Sequence, residues 1–492
     1  MRYRVAIIGA GFGGIGMAIA LKRAGIEEFI MLERAEDLGG TWRDNSYPGL
    51  TCDIPSQLYS FSFRPWRWSR RFPARDEILA YLHALIAEHG LAPHLRFGSG
   101  VVAAAFDEGR AAWDLTLDDD STLQATAVVC AVGQLGRPII PDITGRDEFA
   151  GPSWHSARWN HDAGLAGQRV AVIGTGASAV QFVPEIAKVA TQVDVYQRSA
   201  PYVLPKGDRP YHPAEQALFD RLPATRKADR LRIFLYGELL TSGFVVSPKL
   251  LAGPVQLWRR QLRSQIADPE LRAKCVPDYV MGCKRVVFSS DWYPALARPN
   301  VELITDRIER ITPDGVAAAD GTVRAADVII YGTGFKAAEF LVPMRVSGRG
   351  GRTLQEAWQD GAQAYYGITV CGFPNFFMLY GPNTNLGGNS IIYMLEGQIG
   401  YVLGAVQALE AQRLAWLDVR PEVQDAFNSW VQSSSRKSVW ESGCHSWYTI
   451  DGRNINNWPD HTFLYRRRVR HFDLAAYRVM PNQPAPAASG AA

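Results

Sequence analysis

The chain has 492 residues and an ordinary globular composition, with 47% hydrophobic and 21% charged residues. This length exceeds one simple core, so we expect two or three domains. Its 52 basic and 49 acidic residues give a net charge of +3, which argues against a nucleic-acid-binding protein because such proteins carry a strong basic excess. We find no apolar run of about 18 residues, so no membrane span is expected.

The N-terminus and the cysteines favour a cytoplasmic protein. A strand-like apolar run begins directly after Arg2, so we expect no signal peptide. The six cysteines form no C-x-x-C pair, which predicts neither a metal site nor a disulfide framework, and we expect reduced thiols. No pattern in the sequence indicates the oligomeric state.

The first chemical signal is a glycine-rich turn between a predicted strand and a predicted helix. Residues 5–8 are an apolar run typical of a buried parallel strand, and Gly9, Gly11 and Gly14 fill G-x-G-x-x-G directly after it. Such a turn places a dinucleotide pyrophosphate at the helix N-terminus. Glu33 ends the second strand, 29–32, where a carboxylate accepts ribose hydroxyls and repels a 2′-phosphate. This unit therefore predicts FAD or NAD rather than NADP.

The turn that follows favours FAD. Gly39, Gly40, Thr41 and Trp42 lie just past Glu33. This segment resembles the Gly-Gly turn of flavoproteins that bind two nucleotides, where it runs under the FAD.

A second unit of the same kind begins at residue 170. A strand over 170–173 leads into G-x-G-x-x-A, with Gly174, Gly176 and Ser178 in the turn and the helix start. The next strand, 193–196, is followed by Arg198 and Ser199 rather than by an acid. An arginine at this place pairs with a 2′-phosphate, so this unit predicts NADPH. The sequence thus predicts an α/β protein with two Rossmann-like dinucleotide-binding domains, and the composition of residues 211–284 adds a mostly helical insert.

Between the two units lies a segment that fits F-x-G-x-x-x-H-x-x-x-W, with Phe149, Gly151, His155 and Trp159 at its fixed positions. Here the chain resembles the type I Baeyer–Villiger monooxygenases, whose signature this is, with Asn160 where that family usually has Pro or Asp. Segments that begin at Tyr47, Gly282 and Gly332 also resemble the family, so the resemblance covers nearly the whole chain.

The resemblance implies a fold, cofactors and a reaction. The implied FAD-binding domain comprises residues 1–146 and 372–480. The NADP-binding domain with its linker comprises 147–210 and 286–371, the helical insert 211–285, and a disordered tail 481–492. The implied reaction uses NADPH, FAD and O2 to insert one oxygen atom beside a ketone carbonyl through a flavin peroxide.

The resemblance also assigns roles to single residues. It implies that Arg285 stabilises the negative charge of the peroxide and that Asp53 orients Arg285. It places Lys284 at the NADP 2′-phosphate, Gln134 near the flavin, and Trp447 near the nicotinamide. Asn383 lies in a Gly- and Asn-rich segment that returns toward the flavin, and His155 is interpreted as a hinge residue rather than an acid–base catalyst.

Three alternatives remain open from the sequence. The same chemistry can oxygenate sulfur or nitrogen, so a sulfide is an alternative substrate to a ketone. A second class, an NADPH-dependent flavin or disulfide reductase, shares the doubled fold, although a disulfide reductase needs a redox-active cysteine pair. A third class is a flavin-binding protein without enzymatic activity.

Overall fold

The computed structural model describes residues 2–443, 448–450 and 452–482. Its α-helices are α1 (Phe12–Arg23), α2 (Thr41–Asp44), α3 (Arg75–Glu88), α4 (Ala177–Ile186), α5 (Pro213–Arg221), α6 (Pro223–Val245), α7 (Ala252–Gln265), α8 (Pro269–Lys274), α9 (Trp292–Leu296), α10 (Leu354–Ala357), α11 (Ile391–Ala411), α12 (Pro421–Ser435) and α13 (Thr462–Arg468).

The strands are β1 (Arg2–Ile8), β2 (Phe29–Leu32), β3 (Leu95–Arg96), β4 (Val101–Asp107), β5 (Ala112–Leu117), β6 (Thr122–Cys130), β7 (Ser153–His155), β8 (Arg169–Ile173), β9 (Gln192–Tyr196), β10 (Val203–Leu204), β11 (Val287–Phe288), β12 (Val301–Ile304), β13 (Ile308–Thr312), β14 (Gly315–Ala318), β15 (Val323–Ala325), β16 (Val328–Tyr331), β17 (Arg345–Ser347), β18 (Phe376–Met378), β19 (Leu414–Val419), β20 (Thr449–Ile450), β21 (Arg453–Asn454) and β22 (Tyr477–Pro481).

The first sheet is built around β1, which pairs in parallel with β2 and with β6. The strand order is β17-β4-β5-β6-β1-β2-β3, and β18 also pairs in parallel with β6. The last four residues of β1 and all of β2 are buried, because the side chains on the two faces of these strands join two different hydrophobic clusters. α1 packs beside α11 over this sheet, and the apolar side chains of both helices join its core.

The second sheet has five strands in the order β12-β9-β8-β16-β7. All four pairings are parallel. β8, α4 and β9 form the second strand–turn–helix–strand unit, and β16 returns beside β8. The prediction of two Rossmann-like units is confirmed, while the limits assigned to the domains stay a prediction.

Residues 211–285 contain α5, α6, α7 and α8, which agrees with the helical character expected from their composition. α6 is the longest helix in this insert, with 23 residues. Within the part of the chain that the structure describes, no helix combines the length and the apolar character needed to cross a membrane.

The cysteines differ from expectation at one position. Cys52, Cys130, Cys275 and Cys371 are free thiols, whereas Cys283 is disulfide-bonded. The expectation of reduced thiols is therefore wrong at Cys283, because pairing depends on distance in the fold and not on spacing along the chain. Among the described residues, no group of three or more His, Cys, Asp and Glu side chains is arranged to hold a metal ion.

Candidate active site

A single large cleft of about 1860 Å³ is lined by both glycine turns. The predicted residues that line it are Gly9, Gly11, Glu33, Gly40, Thr41, Trp42, Asp53, Gln134, Gly174, Gly176, Ser178, Arg198, Ser199, Lys284 and Arg285. The cleft is larger than an ordinary small-ligand pocket. Its size and its two glycine turns suit two dinucleotides lying in one continuous space.

Close packing fixes the first glycine turn. Gly9 has a φ of 104°, and a Cβ atom there would lie 2.7 Å from the Ala131 carbonyl oxygen. A Cβ on Gly14 would lie 1.9 Å from the Gly9 carbonyl oxygen, so Gly14 allows α1 to approach β1 closely and does not itself line the cleft. Gly11 faces Gly40, and a Cβ on it would meet nothing nearer than 3.8 Å. This leaves open backbone where a pyrophosphate can approach.

Glu33 is buried at the end of β2 and holds the turn in place. One carboxylate oxygen accepts a hydrogen bond from the Ala10 amide at 2.9 Å, and the other forms an ion pair with Arg43 at 2.8 Å. Arg43 was not among the predicted site residues, although its place two residues after Thr41 in the flavoprotein-like turn could have indicated it. The structure therefore shows Glu33 as a support of the glycine turn, in addition to the ribose contact expected from its position.

Gln134 brings a polar side chain to the wall of the cleft. Its amide nitrogen donates to the Tyr380 carbonyl oxygen at 2.9 Å. Its amide oxygen is buried and accepts no hydrogen bond from any described residue. Because buried acceptors are rarely left unpaired, this oxygen fits the N–H group of a bound ring.

Two cations lie at the second glycine turn. Lys284 donates to the Ser199 hydroxyl at 2.9 Å and lies 4.6 Å from the centroid of the Tyr279 ring. Burial, and then the neighbouring positive charge of Arg198, lower the pKa of Lys284 below its usual value. Neither Lys284 nor Arg198 forms an ion pair within the described ranges. Two close cations with no counter-ion suit a dianionic phosphate.

Arg285 and Asp53 meet in the cleft although 232 positions separate them in the chain. The guanidinium donates to one Asp53 oxygen at 3.1 Å. Asp53 is mostly buried, while 42% of the Arg285 side chain is open to the cleft. Burial lowers the pKa of Arg285, but the attraction of Asp53 and of nearby tyrosines outweighs it, so the pKa is raised. The guanidinium is thus a permanent, oriented positive charge.

Gln181 completes this arrangement, and the sequence analysis did not identify it. Its amide nitrogen donates to the second Asp53 oxygen at 3.3 Å and to the Thr51 carbonyl oxygen at 3.0 Å. Its amide oxygen accepts from the Tyr47 hydroxyl at 3.3 Å. Gln181 lies four residues after Ala177, the first residue of α4, so helical periodicity could have placed it on the face below the glycine turn. It joins the second nucleotide turn to the Asp53–Arg285 pair.

The linker signature lies outside the cleft. β7, which contains His155, forms the edge strand of the second sheet, and a Cβ on Gly151 would lie 2.4 Å from the Asp327 carbonyl oxygen. Phe149 packs against the core beneath β16. The Trp159 ring packs against Phe182 and Tyr47, with centroids at 5.3 and 6.5 Å.

We predict that His155 makes the fold sensitive to acid. His155 is buried, its Nδ1 accepts a hydrogen bond from the Ala157 amide at 3.1 Å, and burial lowers its pKa to about 4. Because this pKa lies below the ordinary value near 6.5, the unfolded chain binds the proton first, and stability is lost as pH falls from about 6.5 toward 4. At pH 5 the expected loss from this group is about 2 kcal/mol.

The His155 prediction is tested by following thermal unfolding from pH 8 to pH 5 in the original protein and in His155→Asn. The asparagine oxygen can still accept from Ala157 but does not titrate, so the fall in melting temperature should be smaller in the variant. Equal falls in both proteins would contradict the prediction. His161→Asn provides the control, since His161 is an exposed histidine.

Of the remaining predicted residues, Asn383 does not line the cleft. Asn383 is buried away from its wall, and its amide nitrogen donates to the Asn454 carbonyl oxygen at 2.8 Å. Its neighbour Asn385 does line the cleft and accepts from the Tyr380 hydroxyl at 2.6 Å. Trp447 lies outside the described residues.

Comparison with known proteins agrees with this geometry. Residues 6–212 match a family model described as pyridine nucleotide-disulphide oxidoreductase. A Baeyer–Villiger monooxygenase of Streptomyces coelicolor is 46% identical over 99% of this chain and 94% of its own length. Another Baeyer–Villiger monooxygenase, from Pseudomonas aeruginosa, is 42% identical over 97% of this chain and 91% of its own length.

Two solved structures are similar over nearly the whole chain. An oxidised steroid monooxygenase bound to NADP superposes with a TM-score of 0.88 at 29% identity, covering 98% of this chain and all of that one. OTEMO in complex with FAD and NADP superposes with a TM-score of 0.86 at 26% identity, covering 97% and 99% of the two chains.

The doubled dinucleotide fold and the shared cleft define an oxidoreductase of the class that carries two dinucleotides. Within that class, the full-length similarity is decisive: the chain belongs to the Baeyer–Villiger monooxygenase family. This membership excludes the two alternatives of another class, a reductase and a non-enzymatic flavin-binding protein. Among the described cysteines, Cys52 alone lines the cleft, and it is a free thiol.

Proposed function

We propose that this protein is an NADPH- and FAD-dependent monooxygenase that inserts one oxygen atom of O2 beside the carbonyl group of a ketone. The ketone, O2, NADPH and a proton give an ester or lactone, water and NADP⁺. The observation that carries the proposal is the Arg285–Asp53 pair, a fixed positive charge that opens into a cleft lined by two nucleotide turns.

The first half of the cleft would hold FAD. Gly11 leaves open backbone for the pyrophosphate, and the unpaired oxygen of Gln134 would accept from a ring N–H. Gly40, Thr41 and Trp42 continue the same wall. When bound and reduced, FAD supplies the activation of O2, a chemistry that amino-acid side chains lack.

The second half would hold NADPH. Gly174 and Gly176 open the turn at the start of α4, whose N-terminus favours a negative charge. Lys284 and Arg198 would bind the 2′-phosphate, with Ser199 orienting the lysine. The Lys284–Arg198 repulsion is relieved when a phosphate lies between the two cations.

Arg285 would act by electrostatics rather than by proton transfer. Its raised pKa keeps it charged at every physiological pH. The charge is fixed before the substrate arrives, because Asp53 and Gln181 hold it from one side. A preorganised cation of this kind stabilises negative charge that develops during oxygen transfer without a cost for reorganisation.

We expect Gln181→Leu to lower ketone turnover about tenfold, because a hydrogen bond to a charged group contributes about 1.5 kcal/mol or more. Without the amide, the Asp53 carboxylate loses one of its two partners and can rotate away from Arg285. The measurements are the rate of product formation and the ratio of product formed to NADPH consumed. The flavin content should stay unchanged.

Gln216→Leu is the control for Gln181→Leu, since it removes a similar amide bond to the Trp68 carbonyl oxygen outside the cleft. A Gln181→Leu enzyme with unchanged ketone turnover would show that Gln181 has no positioning role.

The proposal as a whole is tested with the purified, FAD-loaded protein, NADPH and ¹⁸O₂. Cyclic, linear and aryl ketones are assayed beside sulfides, and products are identified by mass. An ester or lactone that carries one ¹⁸O atom supports the proposal. If sulfoxide forms without any ester, the activity is heteroatom oxygenation and not oxygen insertion beside a ketone. Hydrogen peroxide as the sole product would contradict both activities.

A further inference from the structure

The helical insert concentrates exposed apolar side chains. Among the described residues, 21 large hydrophobic side chains are exposed, and 11 of these lie between positions 218 and 280. Exposed hydrophobic residues scattered singly need no explanation, but a contiguous patch is typical of a docking surface.

Four of these side chains, three on α6 and one directly after it, form a stripe. Leu231, Leu235, Leu239 and Val246 are 55%, 56%, 63% and 59% exposed, and they follow one another at spacings of four, four and seven residues. At about 100° per residue these spacings place them on one face. Ile233, Leu240 and Phe244, which are buried, lie on the opposite face. The stripe therefore faces away from the rest of the chain, except near its end. There Ser242, between Leu239 and Val246, is hydrogen-bonded to His461 at 2.8 Å.

Basic side chains surround this stripe. Residues 211–283, which leave out the cleft residues Lys284 and Arg285, contain 11 basic and 7 acidic residues, a net charge of +4, while the whole chain carries +3. On α6 itself, Lys227 lies beside the stripe, and Lys249 follows its end. Arg232, on the other flank, pairs with Asp229 at 2.6 Å and lines the cleft. Lys227 and Lys249 are exposed and pair with no acid in the described ranges. The combination of an apolar stripe with basic flanks is typical of helices that lie in a membrane interface.

The stripe also borders the active-site cleft. Ile233, Tyr236, Gly237 and Leu240, on other faces of α6, line the cleft. One helix therefore separates the exposed stripe from the space in which the substrate would react. An apolar molecule dissolved in lipid would need to pass only this helix to reach the cleft.

We propose that α6 docks this protein on an anionic lipid surface, with Leu231, Leu235, Leu239 and Val246 inserted among the lipids and Lys227 and Lys249 at the headgroups. Charge favours an anionic lipid surface over a second copy of the chain as the partner of this stripe. A two-fold contact through the stripe would bring the same basic flanks together, and their repulsion opposes it. An anionic headgroup layer attracts them.

The test measures cosedimentation of the FAD-loaded protein with vesicles of phosphatidylcholine alone and of phosphatidylcholine mixed with phosphatidylglycerol. We expect binding to the mixed vesicles that weakens with added salt. Leu235→Ser/Leu239→Ser should lower the binding constant roughly tenfold or more. Lys227→Glu should weaken binding to the mixed vesicles. Val189→Ser/Val323→Ser, at apolar residues 53% and 56% exposed outside the insert, should bind as the original protein does.

Vesicle binding is measured without NADPH or substrate, so its result is independent of the proposed oxygenation. Absence of binding to the mixed vesicles would overturn the inference, as would binding that is unchanged in the double leucine variant. Sedimentation velocity completes the test: a dimer that the leucine variant dissociates, without vesicle binding by the original protein, would assign the stripe to a second copy and overturn the lipid assignment.

Discussion

Arg285→Ala should abolish ester formation while NADPH oxidation continues. Removing one preorganised charge from an oxyanion-type site costs about 10²–10³ in rate, and Arg285 is the cation that Asp53 orients in the cleft. We therefore expect ketone turnover to fall by at least about 10²-fold. NADPH should still be consumed, because Lys284 and the glycine turns are intact, and the electrons should then appear as hydrogen peroxide.

The measurement compares lactone or ester formed with NADPH consumed and hydrogen peroxide released. Arg310→Ala is a matched control, because Arg310 forms a similar arginine–carboxylate pair with Glu148 at 2.9 Å, away from the cleft wall. Its product yield should be unchanged. An Arg285→Ala enzyme that makes ester at the original rate would remove the basis of the proposed mechanism.

Lys284→Ala should convert a specific NADPH enzyme into one that hardly distinguishes NADPH from NADH. A hydrogen-bonded ion pair to a phosphate contributes about 1.5–3 kcal/mol, so KM for NADPH should rise roughly 10–100-fold. KM for NADH should stay the same, since NADH has no 2′-phosphate. Arg198→Ala should act in the same direction, because Arg198 is the second unpaired cation at this turn.

Both constants are obtained from initial rates with a saturating ketone. Lys188→Ala serves as the control, because Lys188 forms an exposed ion pair with Glu185 outside the cleft. If KM for NADH rose as much as KM for NADPH, the lysine would support the fold of the turn and not the recognition of the phosphate.

The local units could be predicted because their physics is local. A glycine with positive φ, such as Gly9 or Gly174, allows the tight turn between a buried strand and a helix. The spacing of apolar residues identifies the strand before the turn and the helix after it. β2 begins and ends at the predicted residues, 29–32, for this reason. The linker signature was recognised as a motif, but its role as the edge strand β7 could not be predicted from three residues.

By itself, the sequence determined two dinucleotide folds, their order in the chain and the resemblance to the family. Tertiary structure alone decided which side chains meet. Gln181 reaches Asp53 across 128 positions and Arg285 reaches it across 232, and the exposed stripe on α6 is defined by what the helix does not pack against. Such contacts depend on how whole helices and strands pack against one another. This packing depends on the summed burial of many side chains, so no short pattern in the sequence encodes it.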